Sequence, residues 1–124
     1  MIIKNTNIIN GKLCNNSKYH NKKVIYKGIK FDSKRERNRY KELVLLKNAG
    51  IISSLELQKK FELQPSYKKN GKTIRSISYI ADFYYYDNVK KQYIVEDTKG
   101  VKTDVYKIKK KMFEYKYNLT ITEL

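Results

Sequence analysis

Ser78-Tyr79-Ile80-Ala81-Asp82-Phe83-Tyr84-Tyr85-Tyr86, followed by Tyr93-Ile94-Val95-Glu96-Asp97-Thr98-Lys99-Gly100, sets two aromatic and β-branched runs on either side of the turn residues Asp87-Asn88. Runs of this kind read as strands. Side chains alternate along a strand, so Asp97 and Lys99 point one way while Glu96 and Thr98 point the other. Pairing of the two strands brings Asp82 beside Asp97. Two carboxylates and one ammonium then share a patch of otherwise apolar sheet. Carboxylates that close repel, and a proton or a cation relieves the repulsion. Hard oxygen ligands favour magnesium or manganese as that cation.

Upstream, Ser54 to Gln64 alternates. Leu55, Leu57, Phe61 and Leu63 fall on one face and Glu56, Gln58, Lys60, Glu62 and Gln64 on the other, with Lys59 as the exception. This predicts a strand, in which Gln58 and Gln64 are candidate site neighbours, with a solvated strand residue the preferred reading of each. Pro65-Ser66 ends it, and Asn70-Gly71 turns the chain into a second strand over Thr73 to Tyr86. The third strand spans Gln92 to Lys99. Further upstream, a helix is predicted from Ser33 to Asn48, closed by Gly50. Ser33-Lys34-Arg35-Glu36 fits a capping box, in which Glu36 reaches back to a free amide at the helix start. At about 100° per residue, Glu36 also lies within about 80° of Tyr40, Leu43 and Val44, on the apolar face, with Leu45 out of phase. A carboxylate there serves either as a cap or as a member of a metal site over the sheet. Val24-Ile25-Tyr26 and Ile29-Lys30-Phe31 flank Lys27-Gly28 as a small hairpin, and residues 1–22 read as a basic, mobile arm.

Downstream, Thr103 or Asp104 caps a second helix that ends near Tyr117. Val105, Ile108, Met112 and Tyr115 form a stripe suited to packing on the sheet. Lys107, Lys110 and Lys111 cluster on the opposite face, with Lys102 ahead of them and Glu114 placed to pair with Lys110 or Lys111. Tyr106, Phe113 and Tyr117 lie along the edge of that cluster. The lysines are candidate phosphate contacts because they follow directly after the carboxylate strand. Leu119 to Leu124 is a short final strand. The order is α-β-β-β-α-β. It predicts an α/β sandwich whose mixed four-stranded sheet is flanked by helices, with the last strand returning parallel to the third through a right-handed crossover.

Composition bounds the function. A chain of 124 residues suits one domain, here 23–124 after the arm. Lys plus Arg number 28 against 12 Asp plus Glu, a net charge of +16 that attracts polyanions, nucleic acid above all. The chain is also rich in Asn, Ile and Tyr, the bias of AT-rich coding sequence, which raises lysine content as well. The single cysteine, Cys14, and single histidine, His20, exclude a disulfide framework and a Cys/His zinc site. The N-terminus lacks the apolar core of a signal peptide, and no run approaches the roughly 18 apolar residues of a membrane span. The expectation is a soluble intracellular protein.

With these residues in place, the chain resembles the PD-(D/E)XK nuclease superfamily. Glu36 in the first helix, Asp82 on the second strand and Asp97-Thr98-Lys99 on the third carry the likeness. From about Lys18 to Leu124 it also resembles a family of small phage and prophage proteins of uncharacterised function placed in that superfamily. Gly28-Ile29-Lys30-Phe31-Asp32-Ser33, Phe61-Glu62-Leu63-Gln64-Pro65, Tyr79-Ile80-Ala81-Asp82-Phe83 and Glu96-Asp97-Thr98-Lys99-Gly100 carry the closer match. Ala81 stands where the name-giving proline would be. The resemblance implies a restriction-endonuclease-like core and a magnesium- or manganese-dependent DNA endonuclease. Asp82 and Asp97 would bind the metal with the main-chain carbonyl of Thr98, and Lys99 would orient the attacking water and offset transition-state charge. Glu36 would be an additional ligand, as in Holliday-junction resolvases. No small-molecule cofactor is implied. DNA is the expected partner, with branched or recombination intermediates of phage DNA in a bacterial cytoplasm as the expected substrates, and a symmetric substrate would suit a homodimer. Two other readings stand beside this one: a non-catalytic nucleic-acid-binding module, and an interaction subunit of a phage replication or packaging complex.

Overall fold

The computed structural model describes residues 23–124. The expected arm at 1–22, with Cys14 and His20, lies outside the described residues. The chain divides into two compact units, Met1–Leu45 and Leu46–Leu124.

In the first unit, β1 (Val24–Tyr26) and β2 (Ile29–Phe31) form the expected antiparallel hairpin, with Tyr26 opposite Ile29. Lys27 and Gly28 both adopt positive φ, the pairing that a two-residue type I′ turn requires. Helix α1 (Lys34–Asn48) begins in this unit, and its Tyr40 ring packs on Phe31 at 5.2 Å and edge-on to Tyr26. Its buried residues are Glu36 and Leu43, which bears out the phase read from sequence. Ser33 Oγ accepts the Glu36 N–H at 3.1 Å, while Glu36 Oε1 accepts the Asp32 N–H at 3.0 Å. The capping box is therefore formed, shifted by one residue on its return arm.

The second unit opens on the end of α1. The Ile51 N–H donates to Leu46 O and the Gly50 N–H to Lys47 O, the paired bonds of a Schellman motif. Gly50 occupies its left-handed position at φ +78, where a Cβ would be strained. The chain then enters β3 (Ile52–Gln64), β4 (Tyr67–Lys69), β5 (Lys72–Ile74), β6 (Ile77–Asp87), β7 (Gln92–Asp97), α2 (Asp104–Tyr117) and β8 (Ile121–Glu123). One mixed sheet of four strands has the order β3-β6-β7-β8, antiparallel except for the parallel pair β7 and β8. The strand expected over Thr73 to Tyr86 is split. Its first part pairs with β4 in a separate exposed hairpin turning at Asn70-Gly71, and only the second part enters the main sheet.

Two expectations are corrected here. The alternation of β3 does not hold along its length. Phe61 and Leu63 join the core cluster, whereas Leu55 and Leu57 stay outside it. Ser54 and Gln58 have positive φ, and the pairing with β6 shifts register between Ser53 and Glu56, so the strand is not a regular pleat throughout. Of the stripe expected on α2, only Met112 packs on the core. Val105 and Ile108 are mostly exposed and Tyr115 is 91% exposed, while Tyr106 and Phe113 are buried with Met112 and Tyr117 packed beside them. The aromatic edge wins because large rings bury more apolar area and here their hydroxyls find acceptors. Tyr106 donates to Glu123 at 2.7 Å and Tyr117 to the Glu62 carbonyl at 2.7 Å. Phe113 meets Phe61 at 4.8 Å and Tyr79 at 5.2 Å, which fastens α2 over β3 and β6. Among the described residues no helix is long and apolar enough to cross a membrane.

Candidate active site

The register of β6 on β7 explains why the two aspartates meet. Phe83 lies opposite Glu96 and Tyr84 opposite Val95, so one further step along both strands sets Asp82 opposite Asp97. Asp97 is the last residue of β7, and β8 holds its backbone from the other side. Glu123 lies opposite it, and the Leu124 N–H donates to the Asp97 carbonyl at 3.0 Å. A central strand end clamped by two neighbours is a rigid mount for a side chain.

Asp82 is held by three donors. Its Oδ2 accepts from the Thr98 N–H at 2.8 Å and the Thr98 hydroxyl at 2.7 Å, and its Oδ1 accepts from Gln58 Nε2 at 3.2 Å. Asp97 is 1% exposed. Its Oδ2 accepts from the Tyr79 hydroxyl at 2.6 Å, and its Oδ1 is buried without a hydrogen-bond partner. Lys99 Nζ stands 3.6 Å from that oxygen, an ion pair beyond hydrogen-bond reach, and lies 4.9 Å from the centre of the Tyr106 ring.

Burial, and then the nearby charge of Asp82, push the Asp97 carboxyl up to about 7, against the Tyr79 hydrogen bond and the Lys99 charge that favour its ionised form. The Tyr79 hydroxyl is pushed far above its usual range by burial and by Asp97. It therefore stays a proton donor at any working pH.

Thus Asp82, Asp97, Thr98 and Lys99 come together. Thr98 does so in a way the alternation rule misses. It lies beyond the end of β7, where the pleat no longer dictates direction, and both its N–H and its hydroxyl turn to Asp82. Gln58, read from sequence as a solvated strand residue, is a site neighbour. Its left-handed backbone redirects the amide onto Asp82, and only a polar residue beside an irregular strand hinted at this. Gln64 has no such contact with the pair among the bonds described. Glu36, 4% exposed, is seen as the cap of α1. Among the described residues no three His, Cys, Asp or Glu side chains group so as to hold a metal ion.

The expected lysine cluster is rearranged. Lys102 and Lys110 lie 3.1 and 3.2 Å from the two oxygens of Glu123. The Tyr106 hydroxyl, foremost, and these lysines hold the Glu123 carboxyl down at about 2. Glu114 does not make its predicted ion pair but accepts the Ile121 N–H at 2.9 Å, capping the entry to β8. Lys107 and Lys111 remain exposed.

Residues 16–122 match a family described as protein of unknown function, DUF1064. The chain belongs to the DUF1064 family. No curated protein and no solved structure matches it.

The donor set of this DUF1064 protein suits a hard divalent cation. Asp97 Oδ1 has lone pairs that no hydrogen bond satisfies, and Asp82 Oδ1 accepts one hydrogen bond where a carboxylate oxygen takes two. Magnesium keeps several waters and is commonly bound through one or two carboxylates, and the two aspartates are oxygen donors of that kind.

Proposed function

We propose that this DUF1064 protein is a magnesium- or manganese-dependent endodeoxyribonuclease of PD-(D/E)XK type, built on a restriction-endonuclease-like core. The observation that carries the reading is the buried Asp97 oxygen left without a hydrogen bond, flanked by Asp82 and by the Lys99 ammonium. A purely structural carboxylate in so dry a place would have its lone pairs satisfied. The strand order, with one parallel pair joined through α2, supports the same reading.

Asp82 and Asp97, with the carbonyl of Thr98, would hold the cation. When bound, the metal supplies a lowered pKa for its water and a charge that holds the phosphate oxygen. Gln58 and Thr98 fix Asp82, and Tyr79 fixes the rotamer of Asp97, so the two acceptors are set before substrate arrives. Lys99 reaches the same place without coordinating. Its ammonium orients an attacking water and offsets charge that develops on the phosphate. Its stem lies on Tyr106, which limits its wandering. Lys107 and Lys111 carry the outer phosphate contacts, with Lys102 and Lys110 contributing whatever Glu123 leaves unneutralised. The same reading takes in branched or recombination intermediates of phage or prophage DNA as substrate, in the host cytoplasm.

The test incubates purified protein with linear, forked and four-way-junction DNA, in magnesium and then in EDTA. Chelator-sensitive nicking is expected, lost in Asp82→Asn and Asp97→Asn while DNA binding survives. Undiminished cleavage by either variant ends the assignment. The second reading, a non-catalytic nucleic-acid-binding module, is favoured by the lack of a third grouped carboxylate among the described residues. It expects salt-sensitive binding and no product in either metal.

A further inference from the structure

The face that carries the aspartates continues into a row of tyrosines that no catalytic step uses. The register pairs Tyr84 with Val95 and Tyr86 with Tyr93, so these residues share the face of Asp82 and Asp97. At about 3.3 Å per residue, Tyr84 and Tyr86 lie roughly 7 and 13 Å along the strand from Asp82. The Tyr84 and Tyr93 rings are stacked, 5.1 Å apart and 8° from parallel, and Tyr86 meets Tyr93 edge-on at 5.0 Å. The row is anchored at its inner end, where Tyr84 packs on Phe61 at 5.2 Å. At its outer end Tyr93 is 45% exposed, an apolar ring in water at the head of an existing stack. Core packing accounts for Tyr84 but not for Tyr93.

Positive charge brackets the row. Lys59 Nζ lies 5.7 Å from the centre of the Tyr84 ring while pairing with Glu56 at 3.3 Å. Lys90 and Lys91 stand exposed in the turn just beyond Tyr86 and Tyr93. A near-parallel pair of rings whose outer member is 45% exposed, edged by ammonium groups on a chain of net charge +16, suits a ligand that is both aromatic and anionic.

We infer that Tyr84, Tyr86 and Tyr93 form a stacking platform for unpaired bases of single-stranded DNA that leads to the Asp82–Asp97 pair. This deepens the nuclease reading and rests on it for the substrate's direction of travel. Duplex DNA keeps its bases stacked on one another and gains little from such a surface. A strand with an unpaired segment, as at a fork, a flap or an opened junction, gains a contact with each base laid on the row.

The experiment measures binding of the 124-residue chain in EDTA, so that no cleavage intervenes. The probes are a fluorescent oligothymidine and an abasic oligonucleotide of the same length, which carries the same phosphates without bases. Oligothymidine is expected to bind roughly tenfold or more tightly than the abasic strand. Tyr93→Ala and Tyr86→Ala should each remove most of that difference, and Tyr93→Phe should keep it. Equal affinity for the two strands overturns the platform, as does a folded Tyr93→Ala that retains the full difference. A concentration-dependent dimer that Tyr93→Ala dissolves, with oligothymidine affinity unchanged, assigns the row to a second copy of the chain and also overturns it. The two readings fail separately. Metal-dependent cleavage without base-dependent binding removes the platform alone. Base-dependent binding without cleavage in any metal removes the nuclease and leaves the platform standing.

Discussion

Asp97, on which the proposed chemistry turns, is also costly to bury as a charge. Its carboxyl titrates near 7 in the folded, metal-free chain against an ordinary 3.8, because burial and Asp82 oppose its charge. A raised carboxyl means that the folded state binds the proton more tightly than the unfolded state. Its stabilising contribution is therefore complete below about pH 4 and is lost as pH rises through about 7. Asp97→Asn keeps an acceptor for Tyr79 and removes the charge. At pH 8 the metal-free variant should exceed the parent in stability by on the order of 2–4 kcal/mol, with the gap closing toward pH 4. Urea unfolding across that range checks it. Magnesium at pH 8 should raise the midpoint of the parent and leave the variant unmoved, since only a ligand bound by the folded state stabilises. Glu36 is a second residue with two readings. Its carboxylate caps α1, and no three His, Cys, Asp or Glu side chains group to hold a metal among the described residues. Glu36→Ala should cost about 1 kcal/mol as a lost cap. Glu36→Gln retains an acceptor for the Asp32 amide and is expected to keep cleavage, whereas a folded Glu36→Gln without cleavage would make the carboxylate a ligand.

At the scale of the element, α2 shows how a helix chooses its buried face. Two apolar lines run along it, and the one with more aromatic area is inside. Phe113→Ala, at a site touching Phe61, Tyr79 and Tyr117, should lower stability by about 3–5 kcal/mol. Val105→Ala, on the line that sequence periodicity alone would bury, should change it by less than about 0.5 kcal/mol. Urea midpoints at constant slope separate the two. In β3 the left-handed Gln58 is a local counterpart, one irregular residue whose amide donates to Asp82.

For the whole molecule, the proposed binding to DNA should depend steeply on salt, because the net charge is +16. Counterion release scales with phosphates contacted, so only unneutralised lysines contribute fully. Lys107→Ala and Lys111→Ala should each reduce the slope of log affinity against log salt by about one. Lys110→Ala should reduce it less, because Glu123 already engages that charge. Equal effects from all three would show that the Glu123 cluster opens when DNA arrives.

The sequence by itself determined the order of elements, the bounds of both helices to within a residue or two, the hairpin turns and the meeting of Asp82 with Asp97. Each depends on neighbours in the chain or on a strand register set by a short turn, and local geometry dictates both. Only the tertiary structure decided which line of α2 faces inward, where β3 departs from a regular pleat, and that Gln58, Tyr79 and Tyr106 serve the site. It also decided that Lys102 and Lys110 are spent on Glu123. These outcomes depend on which residues distant in sequence become close in space, and on how burial then reprices charges and rings. A periodicity of apolar residues records no distance between elements, so it cannot rank two competing faces or foresee a partner for a polar side chain.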